Sequence, residues 1–412
     1  MTRLLACLAV LAAVATGAPD NAIAAGRPTP PVTDGGPIAE RGSVTIQKAT
    51  PSKVTAAAAS TKAIALSTGY GHSCAITTAR KAICWGYNSS GQLGNGTMVS
   101  SSVPVKVSGL TKLASVDAGS YHSCAVTTKG KAWCWGYNGY GQLGDNTTTS
   151  SSVPVAVYGL TKVKTISLGY EHTCALTTSG KVWCWGYNAY GQLGNGTTTN
   201  SSAPVKIPGL PKIASISLGN AHSCAVSTKG KAFCWGYNGY GQLGDNTTTT
   251  RTSPVAVYGR GSGTKSLSAG YTHTCATTTK GKALCWGNNG NGQLGDGTTT
   301  ASTKPVQVSG LTTKVTSTKA GWLSSCALTS KGKAKCWGYN ADGELGDNTT
   351  TNRLTPVAVY NLDKSTKVSV GYLNACALTA KKAVKCWGDN SAGQLGNGSS
   401  TDSLVPVKVH GF

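Results

Sequence analysis

Charge is scarce in this chain, and negative charge scarcest. Asp and Glu number 14 among 412 residues, and charged residues of all kinds make up only 12%. The few carboxylates form no evident acid/base pair, and neither a Gly-x-Ser-x-Gly nor a His-Glu-x-x-His motif occurs, which argues against the common hydrolase chemistries. No catalytic residue, metal site or cofactor is assigned, and the expectation is a protein that is not an enzyme. The recurrent Gly-Gln-Leu-Gly segments lack the lysine and serine that complete a phosphate loop, and are read as turns. Past the amino terminus no apolar run is long enough to span a bilayer. What is plentiful is glycine, 54 residues, together with Ser and Thr. That composition suits many short strands joined by tight turns and suits long helices poorly.

The amino terminus resembles an export signal. Arg3 provides a positive start and Leu4 to Val14 an apolar core too short for a membrane span. Ala22-Ile23-Ala24 and Ala15-Thr16-Gly17 are candidate cleavage sites, and Leu4-Leu5-Ala6-Cys7 gives a weaker lipoprotein-box reading. Residues 1–24 are therefore expected to be a signal peptide, and residues 25–60, rich in Pro, Thr, Ala and Gly, a linker. Residues 61–412 form the body, and the expected location is extracellular.

One pattern recurs seven times in that body. Its Cys-Trp-Gly tryptophans are Trp85, Trp135, Trp185, Trp235, Trp286, Trp337 and Trp387, a period of 50 or 51 residues. In the second copy the strand candidates are Leu113 to Asp117, His122 to Thr127, Lys131 to Trp135 and Pro154 to Val157. Four strands per copy and seven copies predict an all-β, seven-bladed propeller of four-stranded blades. Proline is expected to open the fourth strand, its missing N–H being tolerated at a strand start or edge. The last such segment, Pro406 to Val409, has no repeat after it. It is expected to complete the first blade or to seal its junction with the seventh, sparing the ring an exposed edge.

Every copy holds two cysteines ten positions apart. The pairs are Cys74 and Cys84, Cys124 and Cys134, Cys174 and Cys184, Cys224 and Cys234, Cys275 and Cys285, Cys326 and Cys336, and Cys376 and Cys386. A hairpin loop of Thr128-Lys129-Gly130 sets Cys124 opposite Cys134, and a three-residue loop wants a left-handed third residue. Gly130, Gly180, Gly230, Gly281 and Gly332 stand there. A non-hydrogen-bonded pair of opposed residues is close enough for a disulfide. One intrablade bridge per blade is predicted, each contributing roughly 2–3 kcal/mol in the chain-entropy picture. Zinc is the poorer reading, since its sites favour short Cys pairs and four convergent ligands. Paired cysteines agree with an oxidising compartment.

The segments Gly119-x-x-His122-Ser123-Cys124-Ala125, Trp135-Gly136-x-Asn138 and Gly141-Gln142-Leu143-Gly144, at this period, are similar to the regulator-of-chromosome-condensation repeats. The resemblance covers roughly residues 61 to 412. It implies the propeller fold and, more loosely, a protein-binding role. The nucleotide-exchange activity of the family's nuclear founder is not carried over, because an exported protein meets neither its GTPase nor chromatin.

Strand direction sorts the loops onto two faces. The cysteine hairpin tips share one, where fifteen Lys and Arg and no acidic residue lie between the paired cysteines: Arg80, Lys81, Lys129, Lys131, Lys181, Lys229, Lys231, Lys280, Lys282, Lys331, Lys333, Lys335, Lys381, Lys382 and Lys385. Lys129, Lys131, Lys229, Lys231, Lys280, Lys282, Lys331 and Lys333 form a candidate anion ring, to be weighed against a merely solvated edge. No base-reading element accompanies it, so no specific nucleic acid is expected. The other face gathers Tyr70, Tyr121, Tyr170, Tyr271, Trp322 and Tyr372 in the turns, and Tyr140, Tyr190 and Tyr240 in the Gly-Gln-Leu-Gly loops near Asp145, Asp245, Asp296 and Asp347. These aromatics are the candidate binding face. The loop tyrosines are expected to be exposed; the turn aromatics are read as either exposed or packed between blades.

His72, His122, His172, His222 and His273 recur at one position, replaced by Ser324 and Asn374 in the last copies. That replacement favours a structural role holding the turn over a metal ring. The Asn residues after Trp-Gly, such as Asn88 and Asn138, are read as turn formers. Asn95, Asn146, Asn195, Asn246, Asn348 and Asn397 fit glycosylation sequons, informative only in a eukaryotic host. The expected function is a secreted, monomeric binding protein that engages an extracellular protein, as an inhibitor for example. The alternative is a lectin-like propeller holding an envelope glycan or anionic polymer.

Overall fold

The computed structural model describes residues 61–412. The expected signal peptide and linker lie outside the described residues. In the first repeat, short segments rich in Ala, Ile, Val and Thr form β1 (Ala63–Thr68), β2 (His72–Thr77), β3 (Ala82–Gly86) and β4 (Ser101–Lys106). They pair antiparallel in chain order, so that β1 is one edge of the sheet and β4 the other. The second repeat repeats the unit as β5 (Leu113–Ala118), β6 (His122–Thr127), β7 (Ala132–Gly136) and β8 (Ser151–Ala156). Seven such sheets make the seven blades, and the first strand of each lines a central channel. Among the described residues no helix is long and apolar enough to cross a membrane.

The hairpin register is the expected one. Cys124 faces Cys134 and Val126 faces Ala132, and the loop closes through Gly130 at φ 76°. The same left-handed position is taken by Gly180, Gly230, Gly281 and Gly332, whereas the first and seventh blades place Arg80 (φ 56°) and Lys382 (φ 66°) there.

Each blade holds one cysteine pair at disulfide distance, as the spacing predicts. Cys74 stands with Cys84, Cys124 with Cys134, Cys174 with Cys184 and Cys224 with Cys234. In the last three blades Cys275 stands with Cys285, Cys326 with Cys336 and Cys376 with Cys386. Their Cα atoms are 4.0–4.1 Å apart, the close approach of a non-hydrogen-bonded pair. All fourteen side chains are buried.

One expectation about the fourth strand needs correction, and one of the two roles offered for the last copy holds. β8 begins at Ser151, so Pro154 lies inside the strand and does not open it. It is accommodated because β8 is an outer edge with an irregular register against β7 between Cys134 and Gly136. The final strand, Ser403–Lys408, pairs within the seventh blade and does not complete the first. It seals the junction instead, the other expected role: Val407 and Val409, with Phe412 beyond them, pack in one cluster with Trp85 of the first blade, and Thr61 N donates to Gly411 O at 2.8 Å.

No blade buries its apolar surface alone. One core cluster joins Cys124, Val126, Cys134 and Leu143 of the second blade to Ile166, Ala175 and Trp185 of the third. Trp185 is fully buried and its Nε1 donates to Gln142 O at 2.9 Å across the junction. Gly144 (φ 70°) lets the preceding loop approach that ring; a Cβ there would stand 2.5 Å from Trp185 Nε1. Stacking is thus what stabilises each unit, as in other repeat folds.

Candidate functional site

The recurrent histidines do not hold their own turns through their side chains; they bind the next blade. His72, His122, His172, His222 and His273 each place Nε2 2.8 Å from a hydroxyl one repeat on, of Ser123, Thr173, Ser223, Thr274 and Ser325 respectively. Those hydroxyls donate to the carbonyls of Gln92, Gln142, Gln192, Gln242 and Gln293. Each must therefore accept from histidine, which fixes the proton on Nε2. Burial lowers all five pKa values from 6.5 to about 3, so the rings are neutral. Among the described residues no three metal-ligating side chains converge. The Asn residues after Trp-Gly do more than form a turn. Asn138 is buried, donates from Nδ2 to the carbonyls of Thr147 and Thr149, and accepts from Leu143 N at 2.8 Å. It staples the whole 137–150 loop.

That loop and the short turn before β6 lie on one face. The turn aromatics are neither spread over it nor wedged between blades; they converge on the axis. Tyr70 meets Tyr372 at a centroid distance of 3.9 Å, Tyr121 at 5.6 Å and Tyr170 at 6.4 Å, and Trp322 stacks on Tyr372 at 4.0 Å. With Tyr271 beside Trp322, they form an aromatic plug over the channel mouth. Burial pushes up the hydroxyls of Tyr170 and Tyr372, and that of Tyr271 to about 12.

The loop tyrosines Tyr140, Tyr190 and Tyr240 are half-buried at the surface. They alternate with three tyrosines that sequence reasoning missed: Tyr137, Tyr187 and Tyr237. Centroid distances of 6.3, 4.8, 6.4, 5.1 and 6.4 Å run from Tyr137 through Tyr140, Tyr187, Tyr190 and Tyr237 to Tyr240. Six rings therefore form one continuous band across blades two to four. Glu171, pushed up to about 7 by burial, lies near enough to raise the Tyr140 and Tyr187 hydroxyls further after burial itself. The signal was available: Trp-Gly-Tyr-Asn precedes Tyr two residues later only in these three copies. Asp145 is tied down within its loop, accepting from Thr147 N and Oγ1. Asp245 and Asp347 pair with Arg251 and Arg353 at 3.0 and 2.9 Å.

The opposite face is basic, and more so than the tips alone suggest. Tip amides bind the turns that link successive blades: Thr128 N to Lys112 O, Thr178 N to Lys162 O, Thr228 N to Lys212 O, Ser330 N to Lys314 O and Ala380 N to Lys364 O, at 2.7–2.9 Å. Those linking lysines join Lys129, Lys229, Lys280, Lys331 and their neighbours. Four of the basic residues between the paired cysteines behave differently, among them Lys231, which lies over Phe233 at 5.1 Å. Lys335 and Lys385 lie on strands, and Lys131 folds back over Trp133 at 4.5 Å. Of the described carboxylates only Asp363 lies on this face, paired with Lys385 at 2.9 Å. Asp117 faces the channel, and the remainder lie in the loops and turns of the aromatic face.

The channel between the faces encloses about 280 Å³. One side chain per blade faces it at the level of the first cysteine: Ser67, Asp117, Ser167, Ser217, Ser268, Lys319 and Ser369. Lys367 joins them one pleat lower.

A model of the RCC1-like domain matches residues 34–264. The regulator of chromosome condensation (RCC1) repeat matches residues 280–328, 331–378 and 384–412. The mitochondrial RCC1 domain-containing protein RUG3 of Arabidopsis thaliana is 34% identical over 98 residues, 24% of this chain and 22% of that protein. The ultraviolet-B receptor UVR8 of Arabidopsis thaliana is 34% identical over 97 residues, 23% of this chain and 22% of the receptor. The aligned stretch thus spans less than a quarter of either relative. Human WBSCR16 superposes with a TM-score of 0.68 at 25% identity, covering 76% of this chain and 86% of that one. Yeast RCC1 (Prp20), solved with Kap60 bound, gives a TM-score of 0.72 at 22% identity, covering 87% and 89%.

Proposed function

The chain belongs to the RCC1-like repeat family, and on that premise we propose that it is a secreted, non-catalytic protein whose tyrosine-banded face binds an extracellular protein. The observation that supports this most is the six-ring band from Tyr137 to Tyr240. Its rings are half-buried, mutually packed and mounted on loops stapled by Asn138, Asn188 and Asn238. A rigid aromatic surface loses little conformational entropy on association, which is why Tyr anchors so many interfaces. Yeast RCC1, of the same fold, is bound by Kap60. Export is supported by Arg3 and the apolar Leu4 to Val14 segment, together with seven buried cysteine pairs suited to an oxidising compartment.

The test is affinity capture with the mature protein, immobilised and exposed to culture secretome and washed cell envelope at moderate salt. A parallel column carries the triple variant Tyr140→Ala, Tyr190→Ala, Tyr240→Ala. The expected result is one stoichiometric protein on the first column and none on the second, with both proteins melting as folded. Equal capture by both columns contradicts the assigned face. Retention of envelope polymer without a protein replaces this reading with the glycan-binding one.

A further inference from the structure

Six of the seven blade junctions share an inner clasp. A channel-facing oxygen accepts from the backbone amide at the end of the next inner strand. Ser67 accepts from Ala118 N, Asp117 from Leu168 N and Ser167 from Leu218 N, at 3.2, 3.0 and 3.3 Å. Ser217, Ser268 and Ser369 do the same for Ala269, Ala320 and Thr68 at 3.0–3.1 Å. Between the sixth and seventh blades that position is Lys319. An ammonium only donates, so the equivalent amide of Val370 has no such acceptor. The outer clasp is missing at the same junction, where Ser324 stands in place of histidine and Ala375 in place of the hydroxyl.

Lys367 faces the same cavity from the seventh blade; the charge of Asp117 attracts both ammoniums, but no hydrogen bond or close ion pair holds either of them among the described residues. Ser369 Oγ accepts from Thr68 N and Thr68 Oγ1, which leaves its own proton to donate. Two cations, an amide and a hydroxyl proton therefore gather on one side of the cavity with no acceptor among them. The carboxylate there, Asp117, is engaged on blade two by Ser67 Oγ at 2.6 Å and Leu168 N. An unpaired charge out of bulk water is costly, and a counter-charge relieves that cost.

We infer that this side of the channel is a binding site for a small tetrahedral oxyanion of the phosphate type, bridging blades six and seven through Lys319, Lys367 and Val370 N–H. The route of entry is set by the two mouths. One is closed by the plug of Tyr70, Tyr170, Trp322 and Tyr372. The other lies toward the basic face, where lysines raise the local anion concentration. Burial lowers the Lys319 pKa, and burial followed by the Lys319 charge brings Lys367 to about 8; Asp117 offsets only part of this in each case, and a bound anion adds the rest.

The test is calorimetric titration of the folded protein with inorganic phosphate at constant ionic strength, with glycerol phosphate alongside to distinguish a monoester from the free ion. Lys319→Ser and Lys367→Ser are compared with a tip variant carrying both Lys331→Ser and Lys333→Ser. Serine is the residue that five other blades carry at the Lys319 level, so Lys319→Ser regains an acceptor for Val370 N and is expected to fold. One phosphate per chain is expected, weakened at least tenfold by either channel substitution and less than twofold by the tip substitution. Phosphate should also raise the melting temperature of the parent and leave that of Lys319→Ser unchanged. The absence of saturable binding, or binding weakened only by the tip variant, overturns the proposal.

Discussion

His122 Nε2 lies 2.8 Å from the hydroxyl of Thr173, one blade further round the ring. The relationship recurs at five junctions and is absent on both sides of the seventh blade. Removing the ring in His122→Ala is predicted to cost about 2–4 kcal/mol, from a lost buried hydrogen bond and the cavity left behind. Ser324→Ala, at the junction without the clasp, should cost about 1 kcal/mol or less. Urea denaturation of the two variants measures both, and equal losses contradict the clasp.

The same histidines make stability pH-dependent. Their folded pKa values, about 3, lie below the unfolded value of 6.5, so the unfolded chain binds more protons throughout that window. Stability therefore falls as pH drops from about 6.5 toward about 3, by up to about 1.4 kcal/mol per pH unit for each histidine. Glu171 and Glu344, raised to about 7 and about 8 from 4.5, and Asp117 and Asp402, raised by burial, act in the opposite sense, but they are four against five histidines, and the lowered Asp245, Asp347 and Asp363 act with the histidines. The urea midpoint at pH 4.5 should lie well below that at pH 7. Equal midpoints would mean that the rings are charged or exposed.

Gly144 and Gly159 both have positive φ, 70° and 62°, yet they should respond differently to alanine. A Cβ on Gly159 meets nothing within 4 Å, whereas one on Gly144 strikes Trp185. We predict about 1 kcal/mol for Gly159→Ala, from the left-handed backbone alone. For Gly144→Ala we predict about 3 kcal/mol or more, as the blade junction must open. Thermal melts of the pair separate the two contributions.

Asn138→Ala removes the loop's staple. The Leu143 amide loses its partner in a buried setting, and the carbonyls of Thr147 and Thr149 lose theirs in a partly buried one. The expected loss is about 2–4 kcal/mol. Hydrogen exchange should localise it to residues 137–150; protection unchanged there would show the loop to be held by other contacts.

The cysteine hairpins were legible because three local signals coincide: spacing, opposed register and a glycine at the left-handed position. The pairings of Cys74 with Cys84 and of Cys376 with Cys386 were legible without that glycine, from spacing and register alone. Copy number and strand count followed from the period. The histidine clasp was not legible, because its partner lies 51 residues away and a hydroxyl beside cysteine has no distinctive pattern. The plug was missed for a related reason: whether Tyr70 turns outward or toward the axis is decided by ring closure, which no single repeat contains. Pro154 was misplaced at a strand start because edge strands tolerate proline internally when the register is irregular, as at Cys134 and Gly136. The basic face was underestimated, since Lys112 and Lys162 reach the tips only through backbone contacts between the linking turns and the hairpins.

The central claim is that the tyrosine band, and not the lysine face, is the binding surface. Its most direct test is an equilibrium titration of the captured partner against two variants side by side. One carries Tyr140→Ala, Tyr190→Ala and Tyr240→Ala; the other carries Lys331→Ser and Lys333→Ser. Three aromatic anchors at about 1–2 kcal/mol each predict an affinity loss of about a hundredfold or more for the first variant. The second should stay within about twofold of the parent, since rim charges contribute little to affinity. Unchanged affinity in the tyrosine variant, with the loss appearing in the lysine variant, would contradict the account.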